Sequence, residues 1–296
     1  MLLNISIIIV SFNTKELLSQ CIKSIFKHTK GINFEIIVVD NASTDGSQQL
    51  IKSDFPKVIL IESEINIGFG RANNLGAKHA SGDYLFLLNS DTLLIENSIK
   101  ILKDFIDNES DPNLAVVGCK LLDKNKKPHI SYGNFPSIYQ EIFEYGLLKI
   151  FKKYYAEKLS PSVIDKGSKI KNVDYIIGAD MFFKKSVFDS IGGFDEDFFL
   201  YYEETEICYR LKKLGYKIVW NPNTSIIHYV GSSGKTNEKF NYWIFEQLQI
   251  SKNLYYKKCY GNLMAKTIKY LSIVKTLIIN RKFNAGKILK ILLKVG

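Results

Sequence analysis

Hydrophobic positions in the first 120 residues fall into short, nearly unbroken runs separated by amphipathic stretches. Ile5 to Val10 is a largely β-branched run, the pattern of a strand buried on both faces. A helix is predicted from Thr14, with Leu17, Cys21, Ile25 and Phe26 on one face. Phe34 to Val39 is a second buried strand. It ends in the polar turn Asp40 to Ser47, where Ser43, Thr44 or Asp45 caps the next helix. Lys57 to Ile61 is a third strand, and Asn66 to Gly70 leads into a helix reaching Ala80. Tyr84 to Leu88 and Leu114 to Gly118 complete the series. Strands alternating with helices at this spacing predict an α/β domain around a largely parallel sheet.

The pattern weakens from Asp123 to Asn172, a stretch rich in Lys, Tyr and Phe that reads as loops and irregular helix over the sheet edge. Order returns with a strand at Val173 to Ile177. A helix from Ser186 to Ile191 ends at Gly192-Gly193, and another from Glu203 to Leu214 ends at Gly215. Tyr216 to Trp220 and Ser225 to His228 read as two short strands. Helical signal runs from Asn237 onward, interrupted near Gly261 and near Asn284.

Charge divides the chain differently. The net charge is +10, yet Gln247 to Gly296 holds eleven basic residues and no acidic one, leaving 29 basic against 30 acidic residues before it. A near-neutral body with a cationic, apolar C-terminus suggests a domain carrying an attachment device. The expected division is 1–236 for the main domain and 237–296 for a basic helical extension. Four dispersed cysteines suggest neither a zinc site nor a disulfide framework, and reduced thiols fit a cytoplasmic protein. The start lacks the basic lead of a signal peptide, and Ile5 to Val10 is too short to span a membrane.

Open α/β sheets collect ligands at the carboxyl ends of their strands. Polar residues stand at three such ends: Ser11 and Asn13; Asp40, Asn41 and Ser43; Asn89, Ser90 and Asp91. Asp40 either accepts hydrogen bonds from a base or ribose or caps the following helix. Gly68-Phe69-Gly70 is not a dinucleotide fingerprint, because Asn73 stands at the third glycine and the motif follows the third strand. That excludes a dehydrogenase.

In their order, Ile7 to Asn13, Val38 to Ser47, Asn66 to Gly76, Leu87 to Thr92, Gly192 to Glu196, Tyr201 to Arg210 and His228 to Ser233 resemble a family 2 inverting glycosyltransferase. The nearest likeness is the bacterial rhamnosyltransferase-like branch, and it covers about residues 4–235. The resemblance implies a GT-A-type three-layer α/β/α sandwich with a C-terminal helical extension. It implies that Ser11 and Asn13 line a nucleotide pocket, that Asp40 and Asn41 belong to the base side, and that Asn74 faces the nucleotide. Asn73 replaces an arginine usual there, so Arg71 either approaches the diphosphate or is a surface residue. Asn89-Ser90-Asp91 occupies the D-x-D position with Asn first. Asp91 is then a ligand of Mg²⁺ or Mn²⁺, while Asn89 and Ser90 serve the donor. His228, with Gly231 and Ser233, matches a late element whose imidazole is a second metal ligand or a donor to the diphosphate. A hydrogen-bonded structural histidine is the alternative.

The same resemblance assigns the base to the second acid of Glu203-Glu204, here Glu204 where Asp is usual, with Glu203 as fallback. Both stand at a helix start, where the macrodipole favours the ionised form. Asp180 either meets the acceptor or is a buried cap. The implied reaction moves a sugar from a dTDP- or UDP-sugar, dTDP-rhamnose among them, to a hydroxyl of a glycan or lipid-linked acceptor for surface polysaccharide. A non-catalytic sugar-nucleotide binder is the rival reading. A nucleic-acid partner is disfavoured because the body is not basic. Leu263 to Ile279 carries Lys266, Lys269 and Lys275, too many charges for a span. Lys287, Lys290 and Lys294 lie opposite Ile288, Leu289, Leu292 and Val295. Residues 262–296 therefore either rest on the inner face of the cell membrane or pack on the body or a second subunit.

Overall fold

The computed structural model describes residues 4–143, 150–229, 240–279 and 285–295. Strand and helix alternate from the start: β1 (Ile5–Ser11), α1 (Lys15–His28), β2 (Phe34–Asp40), α2 (Ser47–Asp54), β3 (Ile59–Glu62), α3 (Phe69–Lys78), β4 (Tyr84–Asn89). Next come β5 (Thr92–Leu94), α4 (Ser98–Asn108), β6 (Leu114–Leu122), β7 (Ile130–Gly133), α5 (Ile138–Phe143) and α6 (Lys152–Lys158). Then follow β8 (Val163–Ile164), β9 (Lys171–Asn172), β10 (Tyr175–Ile176), β11 (Asp180–Lys184), α7 (Lys185–Ser190), α8 (Glu203–Lys213) and β12 (Lys217–His228). Three helices complete the chain: α9 (Tyr242–Tyr260), α10 (Asn262–Ile279) and α11 (Ala285–Lys294).

Among the described residues the main sheet runs β3-β2-β1-β4-β11-β6-β12-β5, with β9 on β12. The β1–β2, β1–β4, β2–β3 and β6–β12 pairs are parallel; β11 and β5 run antiparallel to their neighbours. The sheet is therefore more mixed than the strand–helix alternation predicts. Ile7 and Ile9 face one layer with Leu18, Cys21, Ile22 and Ile25 of α1, while Ile8 faces the other. That is the three-layer α/β/α arrangement. The face α1 buries is Leu18, Cys21, Ile22 and Ile25; Leu17 is half-buried and Phe26 exposed.

Three further expectations are corrected. The middle segment contains a small antiparallel sheet, β10-β7-β8, too short in its strands to register as a period. The two predicted strands after Gly215 are one strand, β12, whose register shifts between Asn221 and Ser225. Pro222 and Asn223 mark that bulge, not an end. The turn before α2 puts Gly46, at φ 84°, in the cap position with no capping side chain. Asp45 instead spans two helix starts, accepting from Ser47 N (3.0 Å) and Lys15 N (2.8 Å).

The C-terminal helices share a core with the body. Phe198, Tyr255, Tyr256, Ala265 and Ile268 form one buried cluster. Ser251 Oγ donates to Leu200 O (2.7 Å), and Tyr209 OH donates to Cys259 O (2.9 Å). The expected boundary at 236/237 lies outside the described residues. Ile288, Ile291, Leu292 and Val295 are buried, and α11 packs on α9 and α10. Most of the apolar side of α11 is thus covered by α9 and α10, while Leu293 stays exposed.

Candidate active site

The chain runs from β1 outward to β3 and then returns to β4 on the other side of β1, so the strand order reverses between β1 and β4. Crevices at such switch points bind ligands because the helices and loops on either side diverge. Ser11 ends β1 and Asn89 ends β4. Thr14 joins them: its hydroxyl lies 3.1 Å from Ser11 Oγ and donates to Ser90 Oγ (2.9 Å). All three hydroxyls are buried. Thr14 stands at the cap of α1 yet makes no capping bond. Its hydroxyl is committed to the floor of the crevice instead.

The β2 end forms one wall. Asp40 is buried; its Oδ1 accepts from Ser43 N (2.9 Å) and Gln48 Nε2 (2.7 Å), while Oδ2 has no partner. An orphaned carboxylate oxygen is costly, so it marks a place for a donor group from a ligand. Asn13, at φ 54°, accepts from Thr44 N (2.8 Å) and donates its own backbone N–H to Ser43 Oγ (2.9 Å). Asn41 donates to Asn66 Oδ1 (2.9 Å) and Gly68 O (3.2 Å) and accepts from Ile67 N (3.0 Å). Asn41 therefore fastens the loop before α3, leaving Asp40 Oδ2 as the buried, unpartnered polar atom of this wall.

Asp91 and His228, far apart in sequence, are brought together by strand register. His228 pairs with Thr92 across β12 and β5, and Tyr229 N donates to Asp91 O (2.9 Å). His228 Nε2 lies 3.2 Å from Asp91 Oδ1, and both residues are buried. Asn89 is half-buried beside them, its N–H donating to Ala179 O (3.1 Å). One carboxylate and one imidazole fit a hard dication only as part of a shell. Among the described residues no group of three ligand-type side chains exists, so diphosphate oxygens and water would supply the rest.

Glu203 and Glu204 open α8 behind two strained residues, Tyr201 (φ 72°) and Tyr202 (φ 67°). Of five non-glycine residues with positive φ among those described, Asn13, Ala42, Tyr201 and Tyr202 flank this site. Strain of this kind persists where surrounding structure over-determines it. The two acids face different neighbours. Glu203 is buried against Gly70 of α3, and its Oε2 has no partner. Glu204 lies against Gly178, next to the Ala179 carbonyl that holds Asn89, and keeps partial solvent access. Burial pushes Glu204 up to about 7, against the backbone N–H groups at the helix start. Burial, then the charge of Glu204, raises Glu203 well above the usual carboxylate range. Both acids are thus raised above the usual carboxylate range, Glu203 further than Glu204.

Other candidates lie elsewhere. Both ends of the Asn74 amide are taken by Phe194, donating to its carbonyl (2.8 Å) and accepting from its N–H (2.9 Å). Asn74 clamps α3 to the Gly193-Phe194 turn, which corrects the expectation of a nucleotide contact. Arg71 is exposed and donates to Glu196 O (2.6 Å), the surface alternative. Asp180 is fully buried, accepting from Cys119 N (2.5 Å), so it meets no acceptor and caps no helix. Gly231 and Ser233 lie outside the described residues. A cavity of about 540 Å³, lined by Tyr132, Asn134, Asp165 and Lys171 beside the small sheet, includes none of these candidates. Thr14, legible in the sequence only as a helix start, and Gln48 order the floor and Asp40; only their place in the first turns of helices after strand ends marks them.

Comparison with known proteins bears on family and fold. The family model for Glycosyl transferase family 2 matches residues 6–192. The low-salt glycan biosynthesis hexosyltransferase Agl10 of Haloferax volcanii is 30% identical over 223 residues, 72% of this chain and 63% of that protein. The chain thus spans less than two thirds of that relative. The N-acetylglucosaminyl-diphospho-decaprenol L-rhamnosyltransferase of Mycobacterium tuberculosis is 26% identical over 215 residues, 67% of each chain. Among solved structures, the mannosyltransferase PcManGT from Pyrobaculum calidifontis, in complex with GDP-Man and Mn²⁺, superposes with a TM-score of 0.57. It is 15% identical, over 99% of this chain and 73% of its own, a likeness of GT-A fold.

Proposed function

This chain belongs to glycosyl transferase family 2, and from that premise we propose that it is an inverting transferase. It moves a sugar from a dTDP- or UDP-sugar, with dTDP-rhamnose the leading donor, to a hydroxyl of a glycan or lipid-linked acceptor. The observation that carries the proposal is the Asp91–His228 pair at 3.2 Å, held by strand register at the end of β4. The Mycobacterium tuberculosis relative supports a rhamnosyl donor and a lipid-linked acceptor by the substrates in its name.

In this reading Asp40 Oδ2 takes an N–H of the base, and the Ser11–Thr14–Ser90 hydroxyls keep the β1 and β4 ends in register beneath the diphosphate. Asp91 and His228 would hold Mg²⁺ or Mn²⁺, and the ion would neutralise charge on the departing nucleoside diphosphate. Glu204 accepts the proton of the acceptor hydroxyl as its oxygen bonds to the anomeric carbon. The bond from that carbon to the diphosphate oxygen breaks with its electron pair on the leaving group. Glu203, kept neutral by burial, leaves Glu204 as the charged partner. The crevice between the β1 and β4 ends supplies in-line positioning.

A thermal-shift screen against UDP-, dTDP- and GDP-sugars, with and without Mn²⁺ or Mg²⁺, tests the donor site. A ligand bound only by the native state stabilises it by about 2.7 kcal/mol at a hundredfold excess over Kd. A shift with one nucleotide class is expected, requiring metal and lost in Asp91→Ala. No shift with any nucleotide from folded protein would contradict the proposal.

A further inference from the structure

The connection between β6 and β7 carries charge that the transfer reaction above does not use. Lys120 to His129 holds four lysines against a single acid, Asp123, in a body that is near neutral overall. Asp123 is spent on the turn: its Oδ1 accepts from Asn125 N (2.8 Å) and Lys127 N (2.9 Å). Lys126 N donates to Asp123 O (2.9 Å), Asp123 N donates to Lys127 O (2.8 Å), and Leu122 bridges Pro128. These bonds make a tight hairpin with Lys124, Asn125, Lys126 and Lys127 exposed at its tip. Lys120 lies over the Trp220 ring (5.9 Å). Lys124, Lys126 and Lys127 form no ion pair among the described residues. Lys126 has φ 59°, the left-handed conformation that glycine usually supplies at this place in a three-residue hairpin loop. A long cation kept where glycine is the easier residue points to a use for its charge.

Register fixes where the tip stands. β6 runs parallel to β12 and Leu122 pairs with Ile227, so Asp123 comes level with His228, one strand spacing of about 4.8 Å away. The hairpin therefore rises from the carboxyl end of the sheet beside the Asp91–His228 pair. On the other side of β6 is β11, and Gly178, just before β11, lies against Glu204. Counted from the nucleotide wall at the β2 end, the sheet order is β2, β1, β4, β11 and β6. The lysines thus stand beyond the base from that wall, on the side left for an acceptor. Their charge selects the chemistry. Ammonium groups act as point charges for phosphate, and three on one turn match a group with two or more negative charges.

We propose that the tip of the Asp123–Pro128 hairpin binds a diphosphate carried by the acceptor, with Lys124, Lys126 and Lys127 as its counter-charges. Two molecules in the transfer offer that chemistry: the donor, and an acceptor whose saccharide is joined to lipid through a diphosphate. The donor's diphosphate belongs over the β1 and β4 ends, which leaves the hairpin to the acceptor's. The proposal rests on the transferase reading for the identity of that molecule, while the affinity of the hairpin for diphosphate stands apart from it.

Calorimetric titration of the full chain with inorganic pyrophosphate, its donor site saturated by nucleoside diphosphate, tests the hairpin independently of turnover. Pyrophosphate is expected to bind, and to bind less as salt rises. Lys124→Gln, Lys126→Gly and Lys127→Gln each weaken it about two- to fivefold. Lys126→Gly also relieves the left-handed strain, so it keeps its Tm while losing affinity, which separates charge from folding. No binding, unchanged binding by the triple variant, or pyrophosphate bound only when the nucleotide is left out would each overturn the proposal; the last would assign the lysines to the donor. In transfer to a diphosphate-linked acceptor, the triple variant is expected to raise the KM for acceptor and leave the KM for donor unchanged. Equal acceptor KM in the two proteins would overturn the role of the hairpin and leave the transferase reading intact. Lysine-dependent pyrophosphate binding by a chain with no transfer activity would uphold the phosphate site and count against that reading.

Discussion

At the scale of single residues, the account depends on how Glu204 and Glu203 differ. A base must be unprotonated, and burial brings Glu204 up to about 7. Transfer is therefore expected to rise with pH to about 7 and then level off, falling about tenfold for each unit below. Glu203→Gln mimics a neutral acid and retains most activity; the pH–rate profiles of wild type and this variant check both points. Asp180 offers a test of its environment through stability. Burial, against the hydrogen bond from Cys119, raises its carboxyl from the usual range to about 8. The folded state thus holds the proton more tightly than the unfolded chain. Its contribution is full below about 4 and is lost as pH rises toward about 8. Asp180→Asn should match wild type in Tm at low pH and exceed it above about pH 8; equal loss at every pH would contradict a neutral Asp180. The ordered motifs made Asp91, His228 and the acid pair legible in the sequence. Asn74 was not, because a side chain's partner 120 residues away leaves no local pattern.

At the scale of elements, the strands that build the crevice were legible because each is a buried apolar run with a polar end. The β10-β7-β8 sheet was hidden in strands of two to four residues, shorter than a period can reveal. α11 was legible as an amphipathic helix, but periodicity does not say whether the apolar side meets lipid or protein. The join between α3 and the acid-bearing turn is a further element-level property. Gly68 has φ 89°, and a Cβ there would stand 2.4 Å from Phe199 O. Phe69 N donates to the same carbonyl (3.1 Å). Gly68→Ala combines a forbidden conformation with a backbone clash, so Tm is expected to drop by about 5 °C or more. Calorimetry checks this, and an unchanged Tm would mean the loop from 195 to 202 is not held against α3.

At the scale of the whole molecule, the catalytic candidates come from three regions of the chain. The β4 end supplies Asp91, the end of β12 supplies His228, and the start of α8 supplies Glu204. The C-terminal helices steady the last of these through Ser251 and the shared aromatic core. Family membership was legible from the order of motifs; the shared core was not, because it needs contacts between segments that composition separates as body and tail. The central claim is that this assembly performs transfer with Glu204 as base. Its most direct test measures nucleoside diphosphate release from the donor identified by thermal shift, with acceptor present, for wild type and Glu204→Gln. The account predicts unchanged donor binding and a loss of turnover of about 10²- to 10⁴-fold in the variant. Turnover at the wild-type rate by Glu204→Gln would contradict it.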